Sequence, residues 1–340
     1  MAEAPAGEFG LIAALAGLFG PPPPEVILGI GDDCAVLDPG GPEYLLWTVD
    51  TLVEGVHFDL AWSSLRQLGR KAVAVNVSDL AAMGGRPAYA LLSLGWPPHR
   101  DLSLALEVGT GLAEAAREFQ VAVIGGDTVA SPPGVTLTLT LLGRVPKEEL
   151  LTRAGARVGD GVYVTGPLGE AAAGVEVLRR RLALPPEVRE PLVRAHLDPV
   201  PQPAAGRLLA AKRLASACID LSDGVASDLG HICRLSGVGA RLDNEAIPLS
   251  PALTAAARLL GLDPVAVALT GGEDYQLLFT SPFSPEELRR HFAEAGLPPP
   301  HRIGSIVPGS EVVLAGPEGE RIITGRGYDH FRLDRQAPPE

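Results

Sequence analysis

Residues 135–141 read VTLTLTL, so that Val135, Leu137, Leu139 and Leu141 alternate with Thr136, Thr138 and Thr140. Neighbouring side chains of a strand point to opposite faces, and this period of two predicts a strand with one buried and one more polar face. Such alternation suits an antiparallel sheet covered on one side. Upstream, residues 63–83 follow a helical period: Leu65, Leu68, Ala72 and Val75 recur at spacings of three and four, and Gly84-Gly85 and Pro87 stop the run. Further strands are expected at 26–30, 44–49, 89–94 and 121–124, with a helix over 102–119. Past a polar, loop-like stretch near 146–155, strands at 161–165, 217–219, 239–242, 276–280, 303–307 and 311–314 interleave with helices, 204–214 and 225–235 among them. The expected fold is mixed α/β (α+β) in two domains, 1–148 and 149–340.

A chain of 340 residues is long enough for two buried cores. Its net charge of -13 comes without a basic cluster able to track a nucleic-acid backbone, so nucleic acid and anionic membranes are poor partners. No apolar span of membrane length occurs. The three cysteines form no CxxC pair, which points to a reducing compartment. Glu3 and Glu8 precede the apolar residues Phe9 to Phe19, and no basic segment leads them. The opening therefore reads as an amphipathic helix rather than a signal peptide, and a cytoplasmic location is expected.

Carboxylates recur where apolar runs end. Gly29-Ile30-Gly31-Asp32-Asp33 follows one such run, but Cys34 stands where a dinucleotide fingerprint needs glycine, and taken alone the pattern favours a simple turn. Thr48-Val49-Asp50 ends another, with His57 close behind. Asp79 is harder to dismiss, because it continues the apolar stripe of the 63–83 helix. A carboxylate on an inward face costs several kcal/mol unless paired or metal-bound. The bland alternative is an ion pair with Arg70 or Lys71. Gly125-Gly126-Asp127 places an acid beyond a strand, and Asp220-Leu221-Ser222-Asp223 leads into a helix that Ser222 or Asp223 is expected to cap. Gly271-Gly272-Glu273-Asp274 sets another glycine pair against acids. Oxygen donors suit Mg²⁺, while HExxH, paired CxxC, Walker A and the protein-kinase motifs are all missing.

In this order, GIGDDCAVL, TVDTLVEGVHF, GRKAVAVNVSDLAAMGGRPAYALLSLGWP, GGDT, LTRAGARVGDGVYVTGPLG, IDLSDGVASDL, TGGEDYQLLF and GYDHF resemble the thiamine-monophosphate kinase family of the aminoimidazole-ribonucleotide-synthetase-like superfamily. The resemblance runs from Glu8 to Phe331. It implies ATP and thiamine monophosphate as substrates, several Mg²⁺ ions, and a homodimer joined through the N-terminal sheet. By position it makes Asp32, Thr48, Val49 (through its backbone), Asp50, Asp79, Asp127, Asp220 and Asp223 metal ligands. Gly126, Asp127, Arg153 and Ser222 would contact ATP, and His57, Glu273 and Tyr328 the thiamine phosphate. Asp33 and Asp274 receive no role, and no acid or base is assigned. Within the superfamily, selenophosphate synthetase would need an N-terminal reactive Cys or selenocysteine with a Lys, and the hydrogenase-maturation member a C-terminal cysteine; neither is present. Aminoimidazole-ribonucleotide synthetase itself matches the motifs less well.

The implied chemistry agrees with the residue types. The acceptor is a phosphate monoester, largely dianionic at neutral pH because its second pKa is about 6. It needs little help from a base. The obstacle is repulsion between two polyanions, which positioning and charge neutralisation must overcome.

Overall fold

The computed structural model describes residues 7–331, so the chain end at 332–340 lies outside it. In the first half, β1 (Val26–Leu28), β2 (Ala35–Leu37), β3 (Glu43–Val53), β4 (Arg86–Trp96), β5 (Ala122–Ala130) and β6 (Thr136–Pro146) form a six-stranded sheet in the order β1-β2-β3-β6-β4-β5. Strand β6 is antiparallel to both neighbours, and β4 and β5 run parallel. The alternation in VTLTLTL is realised: Leu137, Leu139 and Leu141 are fully buried and the intervening threonines are not. Strand β3 alternates likewise, turning Leu46, Thr48 and Leu52 inward and leaving Trp47 and Val49 46% and 60% exposed on the other face.

Helices α2 (Leu65–Ala82) and α3 (Ala105–Glu118) cover the inner face. Helix α2 begins at a capping box: Ser64 Oγ accepts from the Gln67 N–H, and the Gln67 side chain accepts from the Ser64 N–H. That satisfies two otherwise orphaned donors. The helices touch backbone to backbone, since a Cβ at Gly111 would collide with the Arg66 carbonyl and one at Gly69 with that of Val108. Preceding them, α1 (Gly7–Phe19) is helical as expected but has no buried residue. Its Phe9 meets the His231 ring edge-on at 4.6 Å.

The described residues of the second half form seven strands: β7 (Gly161–Val164), β8 (Ala217–Asp220), β9 (Gly239–Asp243), β10 (Leu277–Ser281), β11 (His301–Val307), β12 (Val312–Gly316) and β13 (Gly319–Ile322). They run β13-β12-β9-β11-β7-β10-β8, antiparallel except for β9 beside β12. Helices α4 (Glu170–Arg179), α5 (Pro186–Leu197), α6 (Pro203–Ala211), α7 (Val225–Ser236), α8 (Pro251–Leu260), α9 (Pro264–Thr270) and α10 (Pro285–Glu294) complete this half. Helix α2 joins both halves. Its N-terminal turns pack on the first sheet, while Ala81 and Ala82 enter a core with Tyr163, Leu209, Leu277 and Phe279. This seam carries the site.

Several local expectations change. Asp50 lies inside β3 and Asp127 inside β5, because pairing with neighbouring strands extends both beyond their apolar runs. Strands β2 and β13 and helices α8 to α10 were not anticipated. Neither Ser222 nor Asp223 caps α7: Gly224, with φ of 104°, is the cap residue. The carboxylate of Asp228, inside the helix, instead accepts from the N–H groups of Asp223 and Gly224 at 3.2 and 3.1 Å.

Candidate active site

The acids converge where α2 passes between the sheets. Asp33, Asp79 and Asp220 each place a carboxylate oxygen within 4.8 Å of the others. The turn before β2 supplies Asp33, the last turn of α2 supplies Asp79, and the end of β8 supplies Asp220. Inward-facing Thr48 donates its hydroxyl hydrogen to Asp79, and Asp50, from the same strand, hydrogen-bonds with the Asp79 carboxyl. Ser78 donates to Asp220 across the seam at 2.6 Å. The ion-pair alternative for Asp79 fails, because Arg70 pairs with Asp198 and Glu118, and Lys71 pairs with Glu273. Helical periodicity had placed Asp79 correctly on an inward face, and the carboxylates opposite it are the reason that face is tolerable only with protons or a cation.

Burial and mutual repulsion raise these carboxyls together. Asp220 is pushed up to about 8 by burial and then by Asp33, against the hydrogen bond from Ser78. Asp50 rises to about 6 through burial, and Asp32 to about 6 through burial and Asp33. Asp223 reaches about 7, mainly by burial. Asp79 is raised by burial and by Asp50, Asp220 and Asp33. One cation sits among them: Arg153 donates from Nη2 to Asp33 at 2.6 Å, and its backbone N–H donates to Asp32 at 3.1 Å. Asp33 Oδ2 and Asp50 Oδ2 are buried with no hydrogen-bond partner. Orphaned buried oxygens beside clustered carboxylates fit a hard divalent cation, which would take up those lone pairs and displace the protons.

A second network lies beside the first. Both oxygens of Glu273 are held, one by Lys71 Nζ and the other by His196 Nδ1, each at 2.6 Å. Burial works against the Glu273 charge, yet Lys71 and His196 outweigh it and bring the carboxyl to about 2. Lys71, 3% exposed, also donates to the His57 carbonyl at 3.3 Å. His57 Nδ1 accepts from the Val53 N–H at 3.1 Å, which leaves the ring hydrogen on Nε2. Burial lowers His57 to about 4, so it is neutral at physiological pH. The 327–331 segment folds over this group: the Tyr328 N–H donates to the Asp223 carbonyl at 3.1 Å, and the His330 ring stands 5.1 Å from His57 and 4.9 Å from Tyr328. Glu273 and Tyr275 both adopt positive φ, 66° and 49°, held by backbone bonds to Ser222 and Leu221.

The structure thus gathers Asp32, Thr48, Asp50, Asp79, Asp220, Asp223 and Arg153 on one side, and His57, Glu273 and Tyr328 on the other, with exposed Ser222 between. Asp33, which had no role, stands in the centre. Asp274 belongs elsewhere: it accepts from the Gly169 N–H at 2.7 Å, at the start of α4. Val49 points to the opposite face of β3. Gly126 and Asp127 lie on β5, the exposed edge strand, separated from β3 by β4 and β6. A Cβ at Gly126 would strike the Leu92 carbonyl, so close strand packing accounts for that glycine. Lys71, Ser78 and His196 were missed; as buried polar residues on otherwise apolar helix faces, Lys71 and Ser78 carried the same signal as Asp79.

Residues 31–145 match the AIR synthase related protein N-terminal domain, and residues 157–316 match the C-terminal domain of the same family. Thiamine-monophosphate kinase of Escherichia coli (strain K12) is 39% identical over 331 residues, covering 96% of this chain and 98% of that protein. The solved structure of AaThiL complexed with AMPPCP and TMP is 33% identical, covers 97% of this chain and 99% of its own, and superposes with a TM-score of 0.85. Thiamine-monophosphate kinase from Stenotrophomonas maltophilia K279a is 37% identical, with 86% and 92% coverage and a TM-score of 0.74.

Proposed function

The chain belongs to the thiamine-monophosphate kinase family of AIR synthase related proteins, an ATP-dependent phosphotransferase family, and on that premise we propose direct, in-line, Mg²⁺-dependent transfer of the ATP γ-phosphate to thiamine monophosphate. The products would be thiamine diphosphate and ADP. The observation that carries the metal dependence is the Asp33, Asp79 and Asp220 cluster with its unpartnered buried oxygens. Asp32, Thr48, Asp50 and Asp223 flank it and complete a donor set of oxygens, to which the Val49 backbone carbonyl is added. When bound, Mg²⁺ neutralises phosphate charge.

The side chains do the rest. Arg153, anchored on Asp33, keeps further N–H donors for the nucleotide phosphates. Ser222 lies beside it on the approach to α7. Neutral His57 offers its Nε2–H to an acceptor on the substrate. Glu273 meets the cationic thiazolium as one half of an ion pair, shared with Lys71, and Tyr328 closes over the ring. No base is required, because the acceptor phosphate is already anionic. Trapping a phosphorylated enzyme from labelled ATP would sink direct transfer; recovery of unlabelled protein alongside labelled thiamine diphosphate supports it.

Gly126 and Asp127 fit this scheme through a homodimer. Strand β2 pairs with β3 only at Leu45, Leu46 and Trp47, and among the described residues no strand pairs with that edge beyond Trp47. The outer edge of β5 is open as well, with Val123, Ile124 and Val129 exposed. Open edges invite another strand. Two copies, each laying β5 against the free part of the other's β3, would close the sheet, cover Trp47 and Val49, and bring Gly126 and Asp127 of the second copy toward Asp50. No single helix among the described residues is long and apolar enough to cross a membrane, in keeping with the cytoplasmic reaction we infer. The halves 1–148 and 149–340 would act as two domains, the first supplying nucleotide and metal contacts and the dimer.

A further inference from the structure

Away from the carboxylates, a cavity of about 340 Å³ opens between the 58–64 loop and helices α4 and α5, lined by Trp62, Val177, Leu178, Arg181, Leu182 and Arg189. Its polar side-chain groups find no partner among the described residues. Arg179 and Arg180 both reach Glu176, but Arg181 and Arg189 make no ion pair or side-chain hydrogen bond with any described residue. The indole N–H of Trp62 is buried without an acceptor. Both guanidinium groups are solvent-exposed, and so are open to an anion at the mouth of the cavity.

Backbone geometry marks the same place. Arg181 follows the last turn of α4 with φ of 51°, its N–H donating to the Leu178 carbonyl at 3.1 Å while the Leu182 N–H donates to Val177 at 3.0 Å. Glycine is the usual residue in this left-handed position, and a side chain there stores strain. The remaining walls are apolar, and the volume lies within the ordinary range for small-molecule pockets.

We propose that this cavity is a second ligand site, for a planar heteroaromatic ring that carries phosphate. Trp62, Val177 and Leu182 would sandwich the ring, and the indole N–H would donate to a ring acceptor. Guanidinium forks match phosphate oxygens in shape and charge. Arg189 precedes His196 by two turns of α5, about 10.5 Å along the helix. An occupant would therefore lie about two helical turns from the Glu273 network and outside the carboxylate cluster. Only the choice of ligand class rests on the kinase reading; an adenine nucleotide and thiamine diphosphate both satisfy it.

The test titrates the full chain in EDTA with thiamine diphosphate, ADP and pyrophosphate, by calorimetry and tryptophan fluorescence. Without a divalent cation the carboxylate cluster repels phosphate, so the arginine cavity is left to bind. Thiamine diphosphate or ADP should bind saturably and quench fluorescence, and pyrophosphate should bind more weakly. Arg181→Gly and Arg189→Ala should each weaken binding roughly tenfold, about 1.4 kcal/mol. Arg181→Gly should melt no lower than the parent, since glycine relieves the left-handed strain, and Trp62→Phe should abolish the quench. With Mg²⁺, ATP and thiamine monophosphate, kcat and KM of these variants should stay at parent values. Absent binding in EDTA, binding indifferent to both arginines, pyrophosphate binding as tight as the ring compounds, or a tenfold rise in KM would each overturn the second site. A chain inactive as a kinase would instead defeat the preceding proposal and leave the EDTA titration to decide this one.

Discussion

Replacing Asp79 with Asn removes one charge from the cluster and keeps the shape, including an acceptor for the Thr48 hydroxyl. Two ionised carboxylates 4.8 Å apart, the upper separation within the cluster, repel by about 3.5 kcal/mol at an effective dielectric of about 20. Asp79 faces both Asp33 and Asp220 at that range, with Asp50 also in hydrogen-bonding contact. Arg153 offsets part of the Asp33 charge, and protons retained by the raised carboxyls relieve more, so about 1–3 kcal/mol should survive near neutral pH. In EDTA the variant should therefore be more stable than the parent in urea unfolding. Mg²⁺ should raise the parent's melting temperature and leave the variant's nearly unchanged, and turnover should fall roughly a hundredfold or more. Loss of stability in EDTA, together with a full Mg²⁺ response, would refute the cluster as a cation site.

Ser78→Ala should cost about 1–2 kcal/mol of stability and weaken Mg²⁺ binding, because Asp220 loses the donor that orients it; urea melts with and without Mg²⁺ read both. Lys71→Met leaves Glu273, whose side chain is 23% exposed, with His196 alone and should destabilise by about 1–3 kcal/mol, whereas Lys71→Arg should recover part of the stability but not the parent KM for thiamine monophosphate. The pH dependence has a definite sign. Asp220 and Asp223, at about 8 and 7 in the folded chain against 3.8 for an ordinary aspartate, weaken the metal-free fold as pH rises through those values. Mg²⁺ binding near neutral pH should release protons, measured by calorimetry in buffers of different ionisation enthalpy. Glu273 acts in the opposite direction: its folded-state value near 2 gives stability that is lost as pH falls from about 4.5 through 2. Finally, Ile124→Lys on the open edge of β5 should shift the protein to monomer in analytical ultracentrifugation and reduce activity.

Local sequence determined some of this and could not reach the rest. The period of two in VTLTLTL and the period near four in α2 expose which face is buried, so β6, α2 and the inward setting of Asp79 were legible. Strand ends were not, because β3 and β5 continue through polar residues by pairing with β6 and β4, which placed Asp50 and Asp127 inside strands. The cap of α7 was misread since Asp228 reaches back from within the helix, a choice no local preference encodes. Asp33 and Asp32 are adjacent acids in one turn; only the approach of Arg153 and Asp220 from the second half makes Asp33 central. The ion-pair partners of Glu273 were not legible, because Lys71 and His196, distant in sequence, meet it only after α2 and α5 have docked.

The central claim is that this chain makes thiamine diphosphate and that its carboxylate cluster does so with a divalent cation. The most direct measurement incubates the purified chain with thiamine monophosphate and ATP, with Mg²⁺ or with EDTA, and separates the thiamine phosphates by chromatography. Thiamine diphosphate and ADP should form in equal amounts with Mg²⁺ and should be absent with EDTA. Thiamine diphosphate at background with Mg²⁺, or formed equally well in EDTA, would contradict the account.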